Sequence, residues 1–310
     1  MRPSLRALAA GSTALAVLGA AGAVAAGPVA AGPAAGPPTL TCFAEVPGVT
    51  ARGVPATFHY EDGRATTEKR GPDTLGYQPR DIAYPHPATG GLAGTSGRAA
   101  RVTSYWFTLS GAQLREVMEV DRRDTQGRLV SSEYHSRVLR KHWAGARQIS
   151  IGMDRDRMYV LTNGDQLLRY DLHGKDGDTR VRFEQVVGTG FGTIGTLEYS
   201  RTLTALGLRT DIFLATDADT GELLELAIPK DDPASYTRTV LGTGWYDMRT
   251  AGRRASCVSD KGRSYGAIVG TDISGALRLW TDRDPGDGNG SDIQPWGVLK
   301  PAWKPMPYND

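Results

Sequence analysis

Ile212-Phe213-Leu214-Ala215, Thr220-Gly221 and Leu223-Leu224-Glu225-Leu226 form the stretch that decides the fold. A short apolar run, a glycine turn and a second apolar run opening with leucine read as two strands joined by a hairpin. Glycine supplies the positive φ that a tight hairpin loop demands. The unit recurs on one side as Met158-Tyr159-Val160-Leu161, Asn163-Gly164 and Leu167-Leu168-Arg169-Tyr170. On the other side it recurs as Ala267-Ile268-Val269, Ser274-Gly275 and Leu277-Arg278-Leu279-Trp280. Further out stand Tyr105-Trp106-Phe107-Thr108-Leu109, Gly111 and Leu114-Arg115-Glu116-Val117, then a weaker copy, Thr57-Phe58-His59-Tyr60 with Asp62-Gly63. The turn glycines Gly63, Gly111, Gly164, Gly221 and Gly275 are spaced by 48, 53, 57 and 54 residues. Such a period, with several strands per unit, is that of a propeller blade. The expectation is an all-β, five-bladed β-propeller forming one domain over residues 40–310, with its N-terminal strand near Cys42 closing the ring beside the last blade. Ser110–Val120 has the composition of a helix, with Leu114, Val117 and Met118, but the repeat places a strand there.

A second element precedes some hairpins: Val187-Gly188-Thr189-Gly190-Phe191 and Leu241-Gly242-Thr243-Gly244-Trp245, with looser versions at Leu75-Gly76-Tyr77 and His142-Trp143-Ala144-Gly145. Each sets an aromatic residue beside glycine at the entrance to a unit. Trp296 to Trp303 would belong to the closing blade. Together the two elements resemble the tachylectin-type β-propeller and the secreted bacterial FG-GAP (VCBS)-like repeats. The resemblance covers Gly188 to Trp280 well and Trp143 to Tyr170 in part. It implies a propeller fold and, from the tachylectin family, recognition of amino sugars in pockets between blades. The Asp-x-Asp-x-Asp-Gly calcium loop of FG-GAP repeats is absent from Leu197–Asp211 and Arg249–Ser264, so calcium in every blade is not implied.

The N-terminus reads as an export signal over residues 1–25. Arg2 and Arg6 are its basic region, Ala7 to Val24 an uncharged apolar run, and Ala23-Val24-Ala25 the small residues of a cleavage site. The run is rich in alanine and glycine, which argues against a stable membrane anchor. Gly27 to Pro38 is dense in proline and glycine and reads as a disordered linker over 26–39. Loss of Arg2 and Arg6 takes the 36 basic residues to 34, equal to the 34 acidic ones. A balanced chain without a long basic run is not a nucleic-acid binder. A secreted, extracellular, monomeric protein is expected. After export Cys42 and Cys257 meet an oxidising compartment, as a disulfide or as two buried thiols.

The aromatics Tyr77, Trp143, Phe191 and Trp245, with Asp247 beside the last, are the candidate ligand-binding residues. A pyranose needs a flat aromatic face and a few polar groups for its hydroxyls. Packing between blades would use the same rings. Asp282, Asp284, Asp287 and Asn289, in the Gly-rich run up to Asp292, are candidate calcium ligands, since hard cations want several oxygens on a tightly turning loop. An acidic surface turn has the same composition, and no other cofactor is expected. Gly262-Arg263-Ser264-Tyr265-Gly266 matches a nucleophile elbow, but the strand Ala267-Ile268-Val269 follows it where that motif needs a helix. Gly190-Phe191-Gly192-Thr193-Ile194-Gly195 matches a dinucleotide fingerprint without the helix it requires. Lectin-like carbohydrate recognition at blade interfaces is therefore the leading function. A polysaccharide hydrolase or lyase, with channel carboxylates drawn from Glu184, Glu198, Asp211 and Asp247, and a protein-interaction scaffold are the alternatives.

Overall fold

The structure, a computed structural model, describes residues 39–69, 73–84, 100–152, 154–174 and 177–303. The expected signal peptide and nearly all of the linker lie outside the described residues. Strands account for the repeat throughout. β1 (Leu40–Val49), β2 (Pro55–Glu61) and β3 (Arg64–Lys69) form a meander. β4 (Asp81–Ala83), β5 (Ala100–Ser110), β6 (Gln113–Arg123) and β7 (Leu129–Arg140) make one antiparallel sheet. β8 (Ala146–Ile151), β9 (Arg157–Thr162), β10 (Gln166–His173) and β11 (Arg180–Thr189) make the second. β12 (Ile194–Ala205), β13 (Leu208–Asp217), β14 (Glu222–Pro229) and β15 (Thr237–Thr243) make the third. β16 (Met248–Ser259), β17 (Ser264–Asp272), β18 (Leu277–Asp282) and β19 (Ile293–Lys300) complete the series.

The described residues form four sheets where the repeat predicts five units. β1 pairs with β16, so the meander and the fourth unit share one seven-stranded sheet. Leu40 to Ala44 lie opposite Ser259 to Ala255 in that pairing, and Cys42 faces Cys257. The two sulfurs are bonded, with 4.1 Å between Cα atoms and 215 positions between the cysteines in sequence. In a chain-entropy description, closing so long a loop stabilises the fold by about 5 kcal/mol.

The turns form as their glycines require. Gly111, Gly221 and Gly275 have φ of +53°, +65° and +83°. In the second sheet the left-handed residue is Asp165, at φ +67°, one position after Gly164. Each turn then receives the aromatic of the following unit. The amides of Trp143, Phe191, Trp245 and Trp303 donate to the carbonyls of Ala112, Asp165, Gly221 and Gly275, at 2.8, 3.3, 2.9 and 2.6 Å. In the meander the accepting carbonyl is that of Gly53, which takes the Leu75 amide at 2.9 Å. That turn lies between β1 and β2, one strand earlier than the Asp62-Gly63 turn that the repeat aligns.

The first strands β4, β8, β12 and β16 lie side by side in that order. Polar side chains latch each to the next. Asp81 Oδ2 accepts the Ile149 amide at 2.6 Å, Ser150 Oγ accepts the Tyr199 amide at 3.0 Å, and Glu198 pairs with Arg254 at 2.9 Å. Buried backbone donors at the seams between sheets thereby find partners that no hairpin supplies.

Candidate functional site

At the seam between the first and second sheets, Trp143 is half-buried against the core cluster that contains Phe107, Leu114 and Ile149. Its indole lies 4.9 Å from the Tyr170 ring, and Tyr170 lies 5.5 Å from Phe183 in an edge-to-face contact. Tyr170 on β10 and Phe183 on β11 are direct cross-strand partners. The result is a ladder of three rings whose outer member, Phe183, is 47% exposed. Arg140 borders it. Its guanidinium donates to the Val181 carbonyl, and its charge draws the Tyr170 hydroxyl down against the larger upward effect of burial. The seam itself is tied by Arg80, whose guanidinium donates to the carbonyls of Trp143, Ala146 and Arg147.

The other entrance aromatics are set differently. Phe191 is buried against Tyr236, with ring centroids 5.4 Å apart. Trp245 is 6% exposed and packs on Trp280 at 4.4 Å, among Leu214, Leu223, Leu241 and Ile268. Asp247, two residues on, is exposed, and its backbone carbonyl accepts the Ile273 amide. Tyr77 is half-buried. Its hydroxyl bonds Thr108 at 3.0 Å, the Arg115 guanidinium lies 4.7 Å from its ring centre, and burial raises its pKa. The five residues are distributed over successive seams and do not converge on one pocket. Trp143 and Tyr77 are the two rings among them that keep partial exposure.

A small cleft, partly open to solvent, lies where β1, β4, β12 and β16 meet. Asp81, Glu198, Arg254, Thr250 and Tyr84 supply its polar lining, and Val46, Ile82, Val269 and Leu277 its apolar wall. Burial pushes the Asp81 carboxyl up to about 8. The Ile149 amide opposes that rise and the Glu198 charge adds to it. Asp81 is therefore protonated at neutral pH, while Glu198 is held by Arg254, which lies 6.0 Å above the Tyr84 ring. Of the four channel carboxylates expected from sequence, Glu198 lines the cleft. Asp211 instead accepts hydrogen bonds from Tyr159 and Thr202, and Glu184 pairs with Arg169 and Arg157. Asp81 was missed because a three-residue strand leaves no periodicity to mark it.

In the β18–β19 loop only Asp282 of the four expected calcium ligands is buried. Asp287 and Asn289 each cap a backbone amide two residues on. Among the described residues no group of three or more His, Cys, Asp or Glu side chains has the arrangement of a metal site. Ser264 opens strand β17, and Gly190–Gly195 leads into strand β12, so both sites keep the turn and strand roles expected of them.

No family model matches the chain, and no curated protein matches it. Among solved structures the chain is similar to the SapL1 lectin in complex with alpha methyl fucoside. Identity there is 11%, with 84% of this chain and 80% of that chain covered and a TM-score of 0.40. It is similar also to AofleA from Arthrobotrys oligospora, at 11% identity, 83% and 86% coverage and a TM-score of 0.37. Likeness at this level assigns neither fold nor ligand.

Proposed function

We propose that this chain is an exported carbohydrate-binding module, built as a five-bladed β-propeller in which the β1–β3 meander serves as the closing blade. The observation that carries the binding reading is the Trp143–Tyr170–Phe183 ladder. Three partly exposed rings along a seam offer flat apolar faces to a pyranose, and the Arg140 guanidinium and Tyr170 hydroxyl beside them suit its hydroxyls. Of the entrance aromatics, Trp143 and Tyr77 are the ones disposed to meet a sugar. Phe191 and Trp245, with Asp247 at the rim, serve chiefly to join neighbouring blades. The Cys42–Cys257 disulfide supports an extracellular setting, where such bonds persist.

The test is a glycan array with the purified chain and with Phe183→Ala. Retention on a defined glycan, weakened roughly tenfold or more in the variant at unchanged melting temperature, supports the reading. Absence of retention on every glycan, or identical retention by the variant, overturns it.

The central cleft favours a second reading, polysaccharide cleavage. A buried carboxyl whose pKa burial raises, beside a second carboxyl group paired with an arginine, is an arrangement that general acid–base chemistry can use. Release of reducing ends from polysaccharide, abolished in both Asp81→Asn and Glu198→Gln, would establish it. Intact polysaccharide after incubation with the wild-type chain would rule it out.

A further inference from the structure

The basic residues Arg140-Lys141-His142 run directly into Trp143, the first ring of the ladder. All three are exposed, and among the described residues none of them pairs with a carboxylate. Arg140 donates through Nε and Nη2 to one carbonyl, that of Val181, at 3.1 and 2.6 Å. Val181 stands two positions before Phe183 on β11, about 7 Å along the strand. The same guanidinium acts on the middle ring. Burial raises the Tyr170 pKa, and the Arg140 charge opposes that rise. Lys141 and His142 are tied to the ladder by the chain, since consecutive Cα atoms are about 3.8 Å apart.

The carboxylates nearby are committed to other partners. On β10 and β11, Asp171 takes Arg157 and His173, and Glu184 takes Arg169 and Arg157. Across the seam on β6, Glu116 takes Arg137 and the Thr179 hydroxyl. None of these acids is left to answer Arg140 or Lys141. The Trp245 seam is arranged otherwise. Arg238, Arg253 and Arg278, in the two units that form it, pair with Asp217, Asp282 and Asp272. The two seams thus differ in charge as well as in exposure.

We propose that the Trp143 seam selects acidic saccharides. This rests on the carbohydrate-binding reading above and names the class of glycan. The rings take the face of one pyranose, and Arg140 and Lys141 take a carboxylate or sulfate on that sugar or on its neighbour in the polymer. A guanidinium offers parallel N–H donors to two oxygens of one anionic group, and the lysine adds a compact charge. Neutral sugars bring the stacking face alone. Acidic ones also supply the counter-charge that the fold does not provide at this seam.

The test compares a polyuronate, a sulfated dextran and neutral dextran as ligands of the purified chain, at about 0.05 and 0.5 M sodium chloride, where screening changes most for exposed charges. Wild type should bind an acidic polymer and not the neutral one, and the polymer that binds identifies the group as carboxylate or sulfate. High salt should weaken that binding severalfold. Lys141→Gln should weaken it roughly fivefold, the scale of one lysine against an anionic surface. Lys261→Gln, at an exposed lysine between β16 and β17, should leave it unchanged. Phe183→Ala should weaken it about as much as it weakens glycan retention. Acidic-polymer binding that survives Phe183→Ala intact means that charge acts without the ladder, and overturns the proposal. Retention of a neutral glycan that Phe183→Ala abolishes but Lys141→Gln and salt leave untouched overturns the acidic class while the carbohydrate reading stands. No binding to any glycan overturns both.

Discussion

The Trp143 and Trp245 seams occupy the same place in the repeat, yet one leaves its indole partly exposed and the other buries it. Each begins with an indole whose amide bonds the preceding turn. Each indole then packs on an aromatic of the third strand of its unit, Tyr170 or Trp280. The difference comes one strand further out. Phe183 lies opposite Tyr170, whereas Pro295 lies opposite Trp280. In the third unit the corresponding pair is Leu226 and Arg238. One cross-strand pair thus converts a packing contact into a surface ladder. A repeat that places aromatics regularly for cohesion acquires a binding face where a further ring continues the row.

Three measurements would break or sharpen that contrast. Trp245→Ala should cost about 3–5 kcal/mol in urea denaturation, as expected for emptying a large buried site. A loss under 1 kcal/mol would mean that this seam is not closed. Next in size, taken between pH 5 and 7, is the pH dependence of the Trp143 seam, which Asp81 latches through the Ile149 amide. Its carboxyl keeps its proton to about pH 8 in the folded chain but loses it near pH 4 when unfolded. Stability contributed by this group therefore falls by about 1.4 kcal/mol per unit as pH rises between those values, and levels off above the folded pKa. Asp81→Asn should be flatter between pH 5 and 7, and parallel curves for the two proteins would refute the assignment. Smallest is Phe183→Ala, which should leave the melting temperature nearly unchanged. It should lower glycan affinity about tenfold, or about 1.4 kcal/mol, whereas Trp245→Ala should act on binding only through folding.

Much of this was legible in the chain. The glycines at 111, 221 and 275 mark turns because hairpins need positive φ, and the recurring aromatics mark the residues that dock on those turns. The partition of the rings was not legible. Whether Trp143 or Trp245 stays open depends on Phe183 and Pro295, which belong to a pairing register rather than to the repeat. The latches between first strands left no trace either. Asp81 and Ile149 are 68 residues apart, Ser150 and Tyr199 are 49 apart, and a lone polar residue in a short strand does not announce its partner. That the N-terminal strand near Cys42 joins the last unit was legible, whereas its partner strand and register within that unit, β1 on β16, were not.

That pairing also dictates an order of assembly. Chains emerge N-terminus first, so β1 is made long before β16, the strand it must meet. Until then the β1–β2–β3 meander carries an open edge, with backbone groups along β1 available to any extended chain nearby. The first strand synthesised is thus among the last to find its place. The bond between Cys42 and Cys257 can form only when that wait is over, and its presence in a molecule certifies that both ends of the repeat have arrived.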